Sequence, residues 1–236
     1  MKNVLITGAS KGIGRVIAKE LASNYNVFAI ARSENLLRDL NIADYCVCDL
    51  SDVFNFSKLS DFISKNKIDI LINNAGEYVY NPIEKLDVNS IDRMFKINSI
   101  APILLMSMVI GYMKEQKWGR IINIGSISGV MGEACASVYS ATKASLIGLS
   151  KATALELAQD NITVNVINPG WVDTDLSKDS IESCEFSQDE ILECIPQKRF
   201  VEPVEIANFI KYLISDEAKG ITGQSINICA GLSVGI

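Results

Sequence analysis

The stretch that decides the fold is Asn3-Val-Leu-Ile-Thr-Gly-Ala-Ser-Lys-Gly-Ile-Gly14, a short apolar strand that runs directly into a glycine-rich turn. A helical pattern over residues 13–24 begins within that turn. Glycines allow the backbone to approach a pyrophosphate closely, and the free N–H groups of a helix N-terminus favour the same anion. The position directly after the first strand favours a phosphate-binding turn over a turn that only packs the helix on a sheet.

Runs of strand length alternate with helical patterns along the rest of the chain. The predicted strands are residues 3–7, 26–31, 44–48, 68–73, 120–125, 162–167 and 224–228. The predicted helices are residues 13–24, 55–66, 88–116, 137–159 and 205–215. Short apolar strands between helices are typical of a parallel sheet that helices cover on both faces. No repeat or linker divides the chain, so we expect residues 1–236 to form one α/β domain with a seven-stranded parallel sheet.

The composition excludes several classes of function. Of 236 residues, 48% are hydrophobic and 21% are charged, and the net charge of −6 argues against a nucleic-acid or anionic-membrane surface. The chain has no histidine, which excludes a Ser-His-Asp hydrolase and most zinc sites, so we expect no metal site. We expect neither a membrane span nor a secretion signal. The six cysteines form no Cys-x-x-Cys motif and are expected to be apolar filler in a reducing cytoplasm.

Polar residues follow the third and fourth predicted strands, at the edge where parallel sheets bind ligands. Asp49-Leu50 follows the third strand, and its carboxylate can accept from an adenine amino group or cap the next turn. Asn73-Asn-Ala-Gly76 follows the fourth strand, and its amides either face a ligand or bond within their own turn. Asn98 lies four residues before Pro102 in the long predicted helix. Because proline removes one helical hydrogen bond, the Asn98 carbonyl is expected to hold a water or to be satisfied locally at a kink.

Tyr139 and Lys143 are four residues apart on a predicted helix and therefore share one face. An ammonium about 4 Å from a phenol, at an effective dielectric constant of roughly 20, contributes about 4 kcal/mol and can lower the phenol pKa by up to roughly three units. Tyr139 would then exchange protons near neutral pH, where a general acid is most useful. Ser126 directly follows the fifth predicted strand, and its hydroxyl can polarise a carbonyl oxygen beside the phenol. A surface tyrosine beside an aliphatic lysine stem is the alternative for the pair taken alone.

In this order and spacing, the motifs resemble those of the short-chain dehydrogenase/reductase family over essentially the whole chain. The resemblance rests on Thr7-Gly-x-x-x-Gly-x-Gly14, Asp49, Asn73-Asn-Ala-Gly76, Asn98, Ser126, Tyr139-x-x-x-Lys143 and Asn168-Pro-Gly170 with Thr174. Residues 119–126 and 162–170 are most similar to β-ketoacyl-acyl-carrier-protein reductases within that family. The resemblance implies a Rossmann fold and reversible carbonyl reduction with a nicotinamide dinucleotide.

The resemblance also implies a role for each site residue. Tyr139 would give a proton to the substrate oxygen, and Ser126 would hold that oxygen. Lys143 would lower the Tyr139 pKa and bind the nicotinamide ribose, and Asn98 would anchor a water that relays protons to Lys143. The implied cofactor-binding residues are Gly8, Ser10, Lys11, Gly12, Ile13, Gly14, Arg32, Asp49, Leu50, Asn74, Ala75, Gly76, Tyr139, Lys143, Pro169, Gly170, Val172 and Thr174.

The end of the second predicted strand indicates which dinucleotide is used. The strand ends Ile30-Ala-Arg-Ser33 without a carboxylate at its tip, although Glu34 is close. Enzymes of this architecture that use NAD place an acidic residue there. Arg32, with Lys11 and Arg15 beside the glycine turn, can instead meet a 2′-phosphate, so we expect NADP(H). The alternative is that these three side chains are solvated surface charges.

These features favour an NADPH-dependent reductase of a β-ketoacyl thioester, which would belong to fatty acid biosynthesis. A dehydrogenase of another secondary alcohol, such as a sterol, sugar or small diol, is the alternative, and a non-catalytic dinucleotide-binding regulator is a more remote one. Lys114, Lys117 and Arg120 can contribute to a basic patch for an acidic carrier protein. Asp160 stands where carrier-docking reductases favour a basic residue.

Two segments have expected roles beyond the chemistry. Residues 174–201 are rich in Ser, Asp and Glu and follow Pro169-Gly170, which implies a mobile lid over the substrate. The predicted helix over residues 88–116 is apolar nearly all round from residue 103 to residue 110. One core face cannot account for that pattern, so we expect a homo-oligomer, either a dimer or a tetramer.

Overall fold

The computed structural model describes residues 1–52, 56–183 and 186–234. Its strands are β1 (Asn3–Thr7), β2 (Asn26–Ala31), β3 (Asp44–Val47), β4 (Ile70–Asn73), β5 (Gly119–Ile124), β6 (Ile162–Pro169) and β7 (Ser225–Ile228). They form a seven-stranded sheet in the order β3-β2-β1-β4-β5-β6-β7, and every neighbouring pair is parallel. The predicted α/β architecture and the seven strands are confirmed, with each boundary within two residues of the prediction.

The helices connect the strands as crossovers. They are α1 (Gly12–Leu21), α2 (Glu34–Arg38), α3 (Phe56–Asn66), α4 (Val88–Phe95), α5 (Ala101–Gln116), α6 (Ser128–Met131), α7 (Ser137–Leu157), α8 (Asp175–Ser183), α9 (Gln188–Cys194) and α10 (Pro203–Leu213). The sequence prediction missed α2, α6, α8 and α9, because helices of nine residues or fewer give too few turns for a helical period to stand out. Residue 55, where the second predicted helix begins, and Cys184 lie outside the described residues.

The sheet separates two hydrophobic layers. Successive strand side chains point to opposite faces, so β1 places Val4 and Ile6 in one layer and Leu5 in the other. The first layer contains apolar residues of α1 and α10, and the second contains those of α3, α5 and α7. Cys46 and Cys48 are two residues apart and both lie in the second layer, and neither forms a disulfide. The strands are therefore buried on both faces, which explains their continuous apolar sequences.

The long predicted helix is interrupted at the position of Asn98. A π-helical turn over Lys96–Ile100 separates α4 from α5, and Pro102 lies at the start of α5. Pro102 cannot donate to the Asn98 carbonyl, and the Ala101 N–H bonds to the Lys96 carbonyl five residues back. This local widening of the helix turns the Asn98 side chain into the protein interior, where it is fully buried.

The helical stretch Val88–Gln116 is long and apolar enough to cross a membrane by length and composition. Half of its most apolar 18-residue window is buried inside the protein. Since a core helix meets the same criteria, this burial favours packing on the sheet as the reason for its apolar sequence.

Candidate active site

A cleft of about 810 Å³ opens at the carboxyl ends of the parallel strands. Its wall is formed by the glycine turn, by the ends of β2, β4, β5 and β6, by α7 and by the segment after β6. Of the site residues predicted from the sequence, all but Gly14 and Asn98 lie on its wall. Those on the wall are Gly8, Ser10, Lys11, Gly12, Ile13, Arg32, Asp49, Leu50, Asn74, Ala75, Gly76, Ser126, Tyr139, Lys143, Pro169, Gly170, Val172 and Thr174.

The glycine turn is packed against the residues that follow β4. The Thr7 hydroxyl accepts hydrogen bonds from the backbone N–H groups of Asn74 at 3.0 Å and Ala75 at 2.9 Å. The Asn74 side-chain amide donates to the Thr7 carbonyl at 2.9 Å. A Cβ atom on Gly14 would lie 2.4 Å from that amide and 2.5 Å from the Gly8 carbonyl oxygen. Gly14 therefore allows the turn to pack here rather than lining the cleft, and Asn74 bonds to β1 rather than within its own turn.

Asn98 lies behind the cleft and fixes the backbone beyond Gly76. Its side-chain oxygen Oδ1 accepts from the Glu77 backbone N–H at 2.8 Å, and its side-chain amide donates to the Glu77 backbone carbonyl at 2.8 Å and to the Thr142 hydroxyl at 3.1 Å. A Cβ atom on Gly76 would lie 3.3 Å from Lys143 Nζ and 3.6 Å from Asn98 Oδ1. Gly76 therefore leaves space between these two polar groups at the cleft wall. The predicted water on the Asn98 carbonyl stays a prediction.

Tyr139 stands beside Ser126, but its electrostatic setting differs from the prediction. The pKa of Tyr139 is raised to about 12, chiefly because the phenol is buried; a hydrogen bond with Ser126 lowers it and the nearby Glu133 carboxylate raises it. Lys143 Nζ lies 5.7 Å from the centre of the Tyr139 ring and donates to the Ile124 carbonyl at 2.8 Å. The expected lowering of the Tyr139 pKa is therefore wrong for this arrangement, because the ammonium is directed at a backbone carbonyl and burial dominates.

Lys143 is itself unusual, because its side chain is buried and pairs with no carboxylate among the described residues. Its exposed fraction is 4%. This burial lowers the pKa of the ammonium to about 8. Lys143 therefore carries its charge at neutral pH and loses it just above neutrality.

Three polar residues beside Tyr139 were missed by the sequence analysis. Ser126 donates to the Ser128 hydroxyl at 3.1 Å, and Ser128 donates to the Glu133 carboxylate at 2.6 Å. The Tyr78 hydroxyl donates to the other Glu133 oxygen at 2.7 Å. The Tyr78 ring meets the Tyr139 ring edge-on, with the centres 4.9 Å apart. The signal in the sequence was weak, since Tyr78 lies far from Tyr139 along the chain and no motif marks Glu133.

Asp49, at the opposite end of the cleft, also interacts with residues that the sequence motifs did not predict. Its carboxylate accepts from the Ser51 hydroxyl at 2.8 Å, and Arg93 lies 3.4 Å away. Burial raises the Asp49 pKa, but the bonds from Ser51 and the Arg93 charge outweigh it and leave that pKa below its usual range. Arg93 also pairs with Glu77 at 2.8 Å. Arg93 therefore links the residue after β3 to the segment after β4.

The basic residues predicted to meet a 2′-phosphate divide into two groups. Arg32 and Lys11 are exposed on the wall of the cleft. Arg15 instead donates to the backbone carbonyls of Ser10 at 3.3 Å and Leu36 at 2.7 Å, which ties the glycine turn to α2. Glu34, the nearest carboxylate, pairs with Arg38 at 2.7 Å.

The prediction that Arg120 contributes to a basic surface patch near the end of α5 is wrong. Its side chain is fully buried and pairs with Asp216 at 3.2 Å. Lys114 and Lys117 both pair with Asp160, which offsets their charge.

Comparison with known proteins identifies the family to which this chain belongs. The family model described as short chain dehydrogenase matches residues 2–185. The chain belongs to the short-chain dehydrogenase family. This short-chain dehydrogenase is 36% identical to the 3-oxoacyl-acyl-carrier-protein reductase of Salmonella typhimurium, covering 98% of this chain and 97% of the relative. It is 34% identical to an uncharacterized oxidoreductase of Bacillus subtilis, covering 96% of each chain.

Solved structures agree with the assignment. A variant of the actinorhodin polyketide ketoreductase with NADPH superposes with a TM-score of 0.92 at 33% identity, covering 99% of this chain and 97% of that one. The 4-hydroxyisoleucine dehydrogenase complexed with NADH gives a TM-score of 0.91 at 32% identity, covering 98% of each chain. This short-chain dehydrogenase is therefore an oxidoreductase with a Rossmann fold, and its family binds a nicotinamide dinucleotide.

The residues present fit such a dinucleotide. Gly8 and Gly12 adopt positive φ angles of 68° and 54° at the start of α1, which brings backbone close to the position of a pyrophosphate. Gly76 leaves the space beside Lys143 open, as described above. The Tyr139, Ser126 and Lys143 side chains meet in the same cleft, so one end can hold a reacting carbonyl while the other end holds the phosphates.

Proposed function

We propose that this short-chain dehydrogenase reduces a ketone to a secondary alcohol with NADPH, and that the ketone is a β-ketoacyl thioester. The supporting observation is the Tyr139 phenol, which lies beside Ser126 in the cleft. Because its pKa is raised to about 12, Tyr139 is protonated at neutral pH and is ready to act as an acid rather than a base. When bound, the cofactor supplies the hydride.

Each of the four predicted catalytic residues then has a defined role. Ser126 and Tyr139 bind the substrate oxygen, and Tyr139 gives it a proton. Lys143 places a positive charge at the floor of the cleft at neutral pH. Asn98 holds the backbone at Glu77, which fixes the wall that Gly76 leaves open.

The thioester substrate is supported by the similarity to an acyl-carrier-protein reductase and to a polyketide ketoreductase. The pairing of both lysines with Asp160 favours the second candidate, a dehydrogenase of another secondary alcohol, because it weakens a docking surface for an acidic carrier protein. The likeness to a 4-hydroxyisoleucine dehydrogenase favours the same candidate.

A substrate panel separates these candidates. Purified protein is assayed with NADPH and a β-ketoacyl thioester, beside ketones derived from sterols, sugars and small diols. Turnover of the thioester with the largest kcat/KM supports the first candidate, and a larger kcat/KM for an unrelated ketone replaces it with the second. Dinucleotide binding without turnover of any ketone contradicts both and leaves a non-catalytic binding protein.

The preference for NADPH is expected to depend on Arg32. A charge-assisted hydrogen bond contributes roughly 1.5–3 kcal/mol, which corresponds to a preference of about ten- to a hundredfold for NADPH over NADH. Arg32→Asp should reduce or reverse that preference, because it replaces a phosphate partner with a repelling carboxylate. The ratio of kcat/KM for the two coenzymes measures it. Lys19→Asp makes the same charge change on an exposed part of α1 outside the cleft and should leave the ratio unchanged, whereas a wild-type preference for NADH would overturn the assignment.

We infer that residues 174–201 act as the substrate lid. A backbone bridge between Val172 and Val201 fixes the base of this segment, while α8 and α9 carry its middle. Hydrogen exchange at the described residues of α8 and α9 should slow when cofactor and substrate bind, because a closed lid excludes water. The following helix α10, which packs on α1 in the core, serves as the internal reference. Equal exchange of α8 and α9 with and without ligands would count against a lid.

We also infer that the protein is a homo-oligomer, either a dimer or a tetramer. Ile100 at the end of the π-helical turn and Ile103 in α5 are 42% and 47% exposed, and Leu155 on α7 is 83% exposed. A second copy would remove such apolar surface from water. Light scattering on the purified protein measures the number of subunits, and a monomer at micromolar concentration would contradict the inference.

A further inference from the structure

Four side chains form a continuous hydrogen-bonded chain in the wall of the cleft. Tyr139 is hydrogen-bonded to Ser126, and the Ser126 hydroxyl lies 3.1 Å from that of Ser128. Ser128 lies 2.6 Å from the carboxylate of Glu133, which lines the cleft and is partly exposed to it. The chain therefore connects the proton donor of the proposed reaction to a carboxylate in contact with solvent.

The number of available hydrogens fixes the direction of this chain. Each hydroxyl has one hydrogen, and an ionised carboxylate can only accept. Ser128 therefore donates its hydrogen to Glu133 and can only accept a hydrogen bond from Ser126. Ser126 in turn spends its hydrogen on Ser128, so its bond with a neutral Tyr139 must use the phenol hydrogen. All three hydroxyl hydrogens point along the chain towards Glu133.

The surroundings hold the chain in place. Tyr78 donates to the second oxygen of Glu133 and packs edge-on against the Tyr139 ring, so one residue braces both ends. The Ser128 backbone N–H donates to Ser126 Oγ at 3.1 Å. Lys143, the other charged group beside Tyr139, is directed at the Ile124 carbonyl instead. Glu190 of α9 lines the same cleft, but its carboxylate is hydrogen-bonded to Ser187.

From this geometry we propose that the Tyr139–Ser126–Ser128–Glu133 chain is a proton path between the phenol and solvent, and that Glu133 exchanges its protons with solvent and sets the resting orientation of the hydroxyls. The proposal rests on the ketone reduction proposed above. After Tyr139 has given its proton to the substrate oxygen, the phenolate takes a proton from Ser126, which takes one from Ser128. Ser128 takes one from Glu133, whose carboxylate has first taken a proton from solvent, and each hydroxyl turns its hydrogen towards Tyr139 as the proton passes. Each O–H bond that breaks on one oxygen forms on the next, so the net change is one proton moved from solvent to Tyr139.

Two substitutions test the path through different properties. Glu133→Gln keeps the size of the side chain but removes the charge and the exchangeable proton. The alkaline limb of kcat/KM that ionisation of Tyr139 produces, which lies above the one that Lys143 produces near pH 8, should move to lower pH by about one unit, because the negative charge no longer opposes ionisation of Tyr139. Ser128→Ala keeps the charge and interrupts the chain. Its alkaline limb should stay in place, whereas kcat should fall about tenfold, which is part of the full contribution of a general acid.

Glu156→Gln removes one negative charge from the exposed far end of α7 and should change neither the limb nor kcat. A fully active Ser128→Ala variant would overturn the path even if Glu133→Gln shifts the limb. An unmoved limb in Glu133→Gln would overturn the role of Glu133. Thermal unfolding of each variant establishes that it is folded.

A measurement without turnover separates this proposal from the proposed function. Carbon-13 at the ζ position of tyrosine reports ionisation of the phenol by NMR, and Tyr139→Phe identifies the Tyr139 signal. Titration of that signal should begin at lower pH in Glu133→Gln than in the unchanged protein. A protein that shows this shift but reduces no ketone contradicts the proposed function alone. Reduction of ketones without the shift contradicts the hydrogen-bonded chain alone.

Discussion

Tyr139→Phe is expected to lower kcat by roughly 10²–10⁴-fold or more, the usual contribution of a general acid. The substitution removes the hydroxyl that lies beside Ser126 and leaves the ring packed against Tyr78. Binding of the dinucleotide should persist, because the glycine turn and the residues after β4 are untouched. Steady-state kinetics with saturating NADPH and the best ketone of the panel measure the loss, and fluorescence titration measures the cofactor affinity.

A matched control distinguishes loss of the proton donor from loss of any tyrosine hydroxyl. Tyr212→Phe on α10 makes the same chemical change at a side chain that is 46% exposed and outside the cleft, and it should leave kcat unchanged. If Tyr139→Phe turned over at a near-normal rate, the assignment of the proton donor would be wrong.

The strand order and the cleft were accessible from the sequence because they follow from local patterns. Continuous apolar runs mark strands buried on both faces, and the glycines of the turn after β1 mark a backbone conformation that few other residues adopt. Once parallel strands are inferred, their carboxyl ends must share one edge, which brings Asp49, Asn74 and Ser126 to the same cleft. Tyr139 and Lys143 are four residues apart on one helix, and this spacing predicts that both reach the same cleft.

The electrostatics of the cleft could not be predicted in the same way. The spacing placed Lys143 on the same helix face as Tyr139, but it could not show that the ammonium is directed at the Ile124 carbonyl. Burial of the phenol depends on residues far apart in the chain, and its effect on the pKa has the opposite sign to that of a nearby cation. The spacing of Tyr139 and Lys143 therefore suggests a lowered phenol pKa, whereas the pKa of Tyr139 in the structure is raised.

The partners of polar residues were missed for a related reason. Asn98 was singled out from its helix, but the Glu77 backbone that it holds lies 21 residues away. Glu133 lies six residues before Tyr139, yet its link to Tyr78 spans 55 residues. Hydrogen bonds of this kind carry no periodic signal, so three-dimensional coordinates are needed to find them.

Lys143→Met is expected to abolish most activity, with a loss comparable to that of Tyr139→Phe. The substitution keeps an unbranched side chain but removes the charge that Lys143 places beside Gly76 and the donor to the Ile124 carbonyl. Both kcat and the affinity for the cofactor should fall, since the residue lies where the resemblance places the nicotinamide ribose. Lys151→Met, at an exposed position two turns further along α7, should retain the activity of the unchanged protein.

The same substitution is expected to change how stability depends on pH. Burial lowers the Lys143 pKa from 10.5 to about 8, so between these values the unfolded chain binds more protons at this site than the native protein does. The free energy of unfolding of the unchanged protein should therefore rise with pH across this window, relative to that of Lys143→Met, by about 3 kcal/mol in total. Below pH 8 the full cost of burying the ammonium is present, and above pH 10.5 it has disappeared. Tyr139 titrates alike in both proteins and largely cancels in the difference. Urea unfolding of the two proteins at several pH values measures this difference, and parallel curves would show that Lys143 titrates in the folded protein as it does in water.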